Sequence, residues 1–227
     1  MAISQNGYDV VARDQCTFYD DIVVGLSLPL RSDDCGYVLA DFLRHFNAQV
    51  EPLGRTETFG HALRQISGSD EWSNHASGTA ADANASQHKQ GHTGTFTTDE
   101  LERLQRLLAE YDGVIRWGGT FRTTKDEMHF EIDKPYAAVH LLARVIRRND
   151  TVVLSRLAFG NRNLDVYMVK RRLKKLGFFD GSLTNYFGKA LKRAYAAYQT
   201  SLGFTGSDAD GVPGTGSLMS LGFEVRT

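Results

Sequence analysis

Apolar positions recur at helical spacing in several stretches of the chain. After Asp34, which is expected to cap a helix running to about Asn47, Leu39, Phe42, Leu43 and Phe46 fall on one face. Thr97 and Glu100 have the spacing of a capping box. The helix they open carries Leu101, Leu104, Leu108 and Tyr111 on one side and stops at Gly113. A further helix is expected from Tyr136 to Arg147. Two short stretches alternate instead. In one, Glu127, His129 and Glu131 face one way while Met128, Phe130 and Ile132 face the other, as in a half-buried strand with a polar side. In the other, Thr79 to Asn84, Ala80, Asp82 and Asn84 share a face. These two strands are expected as neighbours in one antiparallel sheet. Residues 1–35 show only brief alternations, such as Ile22 to Leu30, and read as strand or extended chain. Residues 1–147 therefore predict an α+β domain with a small antiparallel sheet.

Residues 148–163 have no clear period and read as a linker. From 164 to 227 the pattern is helical again. Val166, Val169, Leu173 and Leu176 predict one helix ending at Gly177. Leu191, Ala194, Tyr195, Tyr198 and Leu202 predict a second from about Gly188, and Leu218 and Leu221 a short third. A weak echo links Asp180-Gly181…Gly188…Leu191 with Asp210-Gly211…Gly214…Leu218, each a turn leading into a helix.

Charge sharpens this division. Residues 1–150 hold 15 Lys and Arg against 22 Asp and Glu; residues 151–227 hold 11 against 5. A basic second module favours an anionic polymer as partner. The 227 residues suffice for one medium domain and a small one. No apolar run approaches the roughly 18 residues of a membrane span, so no membrane insertion is expected. The start of the chain lacks the pattern of a secretory signal, so synthesis in a cytoplasm is expected. Cys16 and Cys35 do not form a disulfide framework; two reduced thiols are the expectation and a single bridge the alternative.

The densest chemistry lies in Ser73-Asn74-His75-Ala76-Ser77-Gly78-Thr79-Ala80-Ala81-Asp82 and in Asp126-Glu127-Met128-His129-Phe130-Glu131. Zinc takes nitrogen and oxygen ligands, and catalytic sites use three protein ligands plus water. His75, Asp82 and His129 supply such a set, and the small residues Gly78 and Ala80 allow close approach. Hydrolysis of an amide also needs a base for the water proton, a role open to Asp126 or Glu127. One mononuclear site leaves the other histidines (His45, His61 and His140 in expected helices, His88 and His92 in a loop) without a ligand role.

The pattern S-x-H-x-x-G-x-A-x-D followed by D-x-x-H-F-E resembles the zinc D-Ala-D-Ala carboxypeptidase and L-Ala-D-Glu endopeptidase family, of the LAS type. That family shares its fold with the hedgehog signalling domain. The wording of the first motif and the upstream Val50-Glu51-Pro52-Leu53 are similar to phage endolysins. The resemblance spans about residues 50–132. It implies one catalytic zinc ion on His75, Asp82 and His129, with Asp126 as the base. Glu127 is the alternative base because it shares the strand face of His129. It further implies substrate contacts by Ser73, by Arg64 as a carboxylate fork, and by Trp117 of Trp117-Gly118-Gly119.

The last segment, with Leu173…Gly177…Gly181…Phe187-Gly188…Tyr198-Gln199…Asp210-Gly211…Leu218, resembles the three-helix peptidoglycan-binding module. It departs from it where Lys170 or Arg171 stands in place of a glutamine. The Lys170-Arg171-Arg172 and Lys174-Lys175 cluster is a candidate surface for anionic wall polymer. Together the two resemblances imply a monomeric phage endolysin, a metallopeptidase cutting the peptide part of bacterial peptidoglycan as an endopeptidase, at an L-Ala-D-Glu or a cross-link bond. It would be made in the host cytoplasm and act at the wall after release. Peptidoglycan is then both substrate and anchor. The alternatives are a D-Ala-D-Ala carboxypeptidase of wall metabolism and a non-catalytic zinc-containing wall binder. A nucleic-acid partner is not expected, because the C-terminal helices lack aromatic interleaving.

Overall fold

A computed structural model describes residues 2–227. The chain divides into two compact units, Met1–Ala143 and Arg144–Thr227. In the first, β1 (Cys16–Tyr19) pairs antiparallel with β2 (Leu28–Arg31). There follow α1 (Asp34–Gln49), β3 (Ala80–Asp82), α2 (Thr98–Glu110), β4 (Ile115–Trp117), β5 (His129–Ile132) and α3 (Tyr136–Arg147), whose last turn is counted with the second unit. The sheet order is β3-β5-β4, antiparallel throughout.

Leu39, Phe42, Leu43 and Phe46 of α1 are fully buried, as their spacing predicts. Phe42 and Phe46 meet Phe130 of β5 at ring distances of 4.9 and 5.4 Å. The apolar side of β5 is thereby anchored to the core, which leaves its other side for chemistry. That side is also covered: every residue of β5 is buried, not half-buried as the alternation suggested, because β5 is the central strand. The cap of α1 is Asp33, whose carboxylate accepts from the Cys35 N–H at 2.8 Å. Asp34, the expected cap, instead accepts from His140 and Tyr136. The capping box of Thr97 and Glu100 forms. His61 lies on extended chain rather than in a helix, its N–H bonded to the Pro29 carbonyl at 2.8 Å. Cys16 and Cys35 are both buried free thiols.

In the second unit, α4 (Leu164–Lys175), α5 (Lys189–Ser201) and α6 (Thr215–Ser220) pack around Val166, Val169, Leu173, Leu191, Tyr195, Tyr198 and Leu218. Gly188 and Gly214, the glycines of the internal echo, cap α5 and α6. Leu176 and Leu202 were expected on buried faces but are exposed, because each sits at a C-cap where the helix has already ended. Within the stretch expected as linker, β6 (Thr151–Val153) pairs parallel with β7 (Glu224–Arg226). The Lys170–Lys175 cluster does not form one surface. Lys170 is buried and donates to Thr184 at 2.8 Å, Arg172 pairs with Asp150 at 2.7 Å, and Lys174 donates to the Gly181 carbonyl. No helix among the described residues is long and apolar enough to cross a membrane.

Candidate active site

Each half of the site is set by a local backbone device. Ser73 caps a short 3-10 turn, Asn74–Ser77, by accepting from the His75 N–H. Gly78 then reverses the chain at φ +68°, and a Cβ there would lie 2.6 Å from the Arg31 nitrogen. Only glycine meets both demands. The reversal feeds β3, whose register against β5 sets Asp82 opposite His129. Two ligand candidates far apart in sequence are thus neighbours across one ladder, and His75 reaches them from the turn.

His75 Nε2 lies 3.2 Å from Asp82 Oδ1 and 3.2 Å from His129 Nδ1, which is itself 2.9 Å from Asp82 Oδ1. The outer nitrogens fix the tautomers. His75 Nδ1 donates to the Gly60 carbonyl at 2.7 Å, and His129 Nε2 donates to Glu131 at 3.1 Å. The inner nitrogens, His75 Nε2 and His129 Nδ1, are thereby the ones turned toward the Asp82 oxygen, each with a lone pair to offer a metal when it carries no proton. Two ring nitrogens and a carboxylate oxygen converging on one point make a cation site once a metal takes the place of the proton between them. His75, Asp82 and His129 are the group of described residues able to hold a metal ion.

The surrounding charge agrees. Burial opposes ionisation of Asp82, but His75 and His129 hold its carboxyl well below the usual range. Burial likewise disfavours a charged His129, yet hydrogen bonds to Asp82 and Glu131 raise it to about 9. The field at this point calls for positive charge. Glu131 is 4% exposed and also accepts from the Asn74 amide at 2.6 Å. Asn74 in turn accepts from the Asn6 N–H at 2.9 Å, which ties the N-terminal segment to the site.

Asp126 and Glu127 differ sharply. Asp126 lines a cleft of about 350 Å3 with His75, His129, Ser73 and Arg64. Its Oδ2 accepts from Gln90 at 3.2 Å, its Oδ1 is buried with no hydrogen-bond partner among the described residues, and burial raises its pKa. Glu127 is outside that lining. Its carboxylate accepts from the N–H groups of Gly94 and Thr95 at 2.9 Å and from the Thr95 hydroxyl, and these bonds outweigh burial to lower its pKa. The shared strand face does not materialise, because β5 begins only at His129. Glu127 clamps a loop.

Of the expected substrate contacts, Ser73 and Arg64 line the cleft and Trp117 does not. Trp117 is buried, donates to the Glu127 carbonyl at 2.8 Å and meets Phe96 edge-on. Its neighbour Gly118 matters more directly: a Cβ there would stand 2.2 Å from the Asp126 carbonyl oxygen. A second cleft, of about 450 Å3, also reaches His75, Asp82 and Arg64 and is lined by Arg13 and Arg55. Sequence reading gave Glu131, Asn74 and Gln90 no role. The final glutamate of D-x-x-H-F-E was the available signal, since it shares the polar face of His129.

Residues 67–132 match a family model described as D-alanyl-D-alanine carboxypeptidase. Residues 162–220 match one described as putative peptidoglycan binding domain. No curated protein and no solved structure matches the chain. The two matches support a peptidase joined to a module whose partner is peptidoglycan.

Proposed function

We propose that the protein is a zinc metallopeptidase of endolysin type that hydrolyses an amide bond in the peptide part of bacterial peptidoglycan. The observation that carries this reading is the convergence of His75, Asp82 and His129 beside the buried carboxyl of Asp126 in one cleft. Zinc, when bound, supplies a Lewis acid and a water acidified toward neutral pH. Asp126 would take the proton of the attacking water as the C–O bond forms and return it to the leaving amine as the C–N bond then breaks. Its raised pKa suits both halves of that transfer. Gln90 orients it, and Glu131 and Asn74 keep His129 in the tautomer the site needs. Arg64, shared by both clefts, is suited to a substrate carboxylate.

We further propose internal cleavage, at an L-Ala-D-Glu or a cross-link bond. Support comes from the two clefts that share His75 and Arg64, one lined further by Arg13 and Arg55 and the other by Gln90 and Phe121, which together offer more room than a single terminal residue needs. The second reading, a carboxypeptidase, is favoured by the family that residues 67–132 match. Mass spectrometry of the products separates them. Fragments with new internal termini are expected; release of single D-alanine alone would support the carboxypeptidase. A host-lysis role follows from internal cleavage, since trimming an end leaves the wall mesh intact. Wall preparations that stay turbid with the zinc-loaded protein would contradict that role.

A further inference from the structure

The second unit holds 14 Lys and Arg against 6 Asp and Glu. Like charges ordinarily spread out to limit self-repulsion. Here five arginines gather instead: Arg144, Arg147, Arg148, Arg156 and Arg162 line one cleft of about 500 Å3. No carboxylate lines it among the described residues. The adjacent counter-charge, Asp165, is fully buried and already engaged. Its Oδ1 accepts from Arg148 at 2.7 Å and from the Val153 N–H at 2.9 Å, and its Oδ2 lies 3.6 Å from Arg156. With Arg147 set aside, one carboxylate still faces the guanidinium groups of Arg144, Arg148, Arg156 and Arg162, which leaves a positive excess.

Several of these cations are held in place. Arg148 also donates to the Thr151 carbonyl at 3.1 and 3.0 Å. Arg162 stacks over Tyr186 at 4.3 Å. The Arg156 carbonyl accepts from the side chains of Asn161 and Asn163, which fixes the loop that bears it. Asn163, the cap of α4, and Leu164 bring the positive end of that helix to the same cleft. Cations held in this way lose little freedom on gripping an oxyanion.

We propose that this cleft binds a phosphodiester-rich anionic polymer of the bacterial wall, as a contact additional to peptidoglycan itself. Four of its five arginines precede the segment that matches the peptidoglycan-binding family, so the cleft lies mostly outside that match. Guanidinium forks fit phosphate and carboxylate alike. A polymer charged at every repeat fills several forks at once, whereas a stem peptide presents its carboxylates singly. Single-stranded nucleic acid gains much of its affinity from bases stacked on aromatic side chains, and here the face of Tyr186 is taken by Arg162. The assignment to the wall rests on the proposed wall-peptidase function.

Titration calorimetry of the full chain tests it, with soluble poly(glycerol phosphate) and with single-stranded DNA of equal phosphate content. Wild type is expected to bind the wall polymer more tightly than DNA. The triple variant Arg144→Gln, Arg156→Gln, Arg162→Gln should weaken wall-polymer binding at least about tenfold. Arg144→Gln alone, which leaves the Asp165 pairs and the Tyr186 stack intact, should weaken it about threefold. Hydrolysis of a soluble stem peptide should be equal in all three proteins. Unchanged affinity in both variants overturns the proposal, as does tighter binding of DNA. Failure of the wall-peptidase reading is distinguishable, because wild type would then leave the stem peptide uncut.

Discussion

Glu131 grips the ring of His129 through Nε2 while Nδ1 points at Asp82, so one carboxylate orients the ring that another would share a metal with. Partners of this kind are typically worth about ten- to a hundredfold in metal affinity. Glu131→Gln should lower zinc affinity by that much in a chelator competition; an unchanged affinity would remove its positioning role. Protons compete for the same nitrogen. In the metal-free chain Asp82 and Glu131 hold the proton of His129 up to about 9. Zinc must displace it, so below that pH each unit of acid should cost about tenfold in apparent zinc affinity. A flat profile between pH 6 and 8 would contradict the ligand assignment. Asp126 and Glu127 separate by readout. Asp126→Asn should cut kcat by about 100-fold or more with zinc affinity kept. Glu127→Gln should instead lower Tm by releasing the Gly94–Thr95 loop.

Two glycines set the elements that carry these residues. Gly118→Ala would drive a methyl into the Asp126 carbonyl, and urea unfolding should register a loss of about 2 kcal/mol together with lower activity. Gly78→Ala should cost a similar amount through its left-handed φ and its closeness to Arg31. Wild-type stability in either variant would show that the backbone yields more than this packing allows. Much of this architecture is legible from sequence. The stripe of α1, the capping box of α2 and the bounds of α3 are local patterns. The alternation around Asp82 and His129 even foretells that their strands are neighbours, as the β3–β5 register bears out. What escapes is non-local. Asn74 and Glu131 are 57 residues apart, and β6 finds β7 from the far end of the chain. Strands of three residues such as β4 and β6 are too short to display a period. Lys170 reads as part of a basic surface, and only packing reveals that it is buried with its ammonium on Thr184.

The molecule pairs an acidic unit that carries the candidate active site with a basic unit that matches a wall-binding family. Tethering to an insoluble substrate raises the local concentration of the catalytic unit without any new contact at the scissile bond. Activity on whole walls should therefore fall as salt screens the basic unit, while activity on a soluble stem peptide holds; about 1 M salt shortens the screening length to roughly 3 Å. Parallel salt curves for the two substrates would argue against an electrostatic tether. The central claim is that His75, Asp82 and His129 form the zinc centre of a wall peptidase. The most direct test counts new amino termini released from purified peptidoglycan by zinc-loaded wild type and by His129→Ala. The account predicts termini that accumulate with wild type, stop when a chelator removes zinc and are absent with the variant. Equal release by the variant, or none by the zinc-loaded wild type, would contradict it.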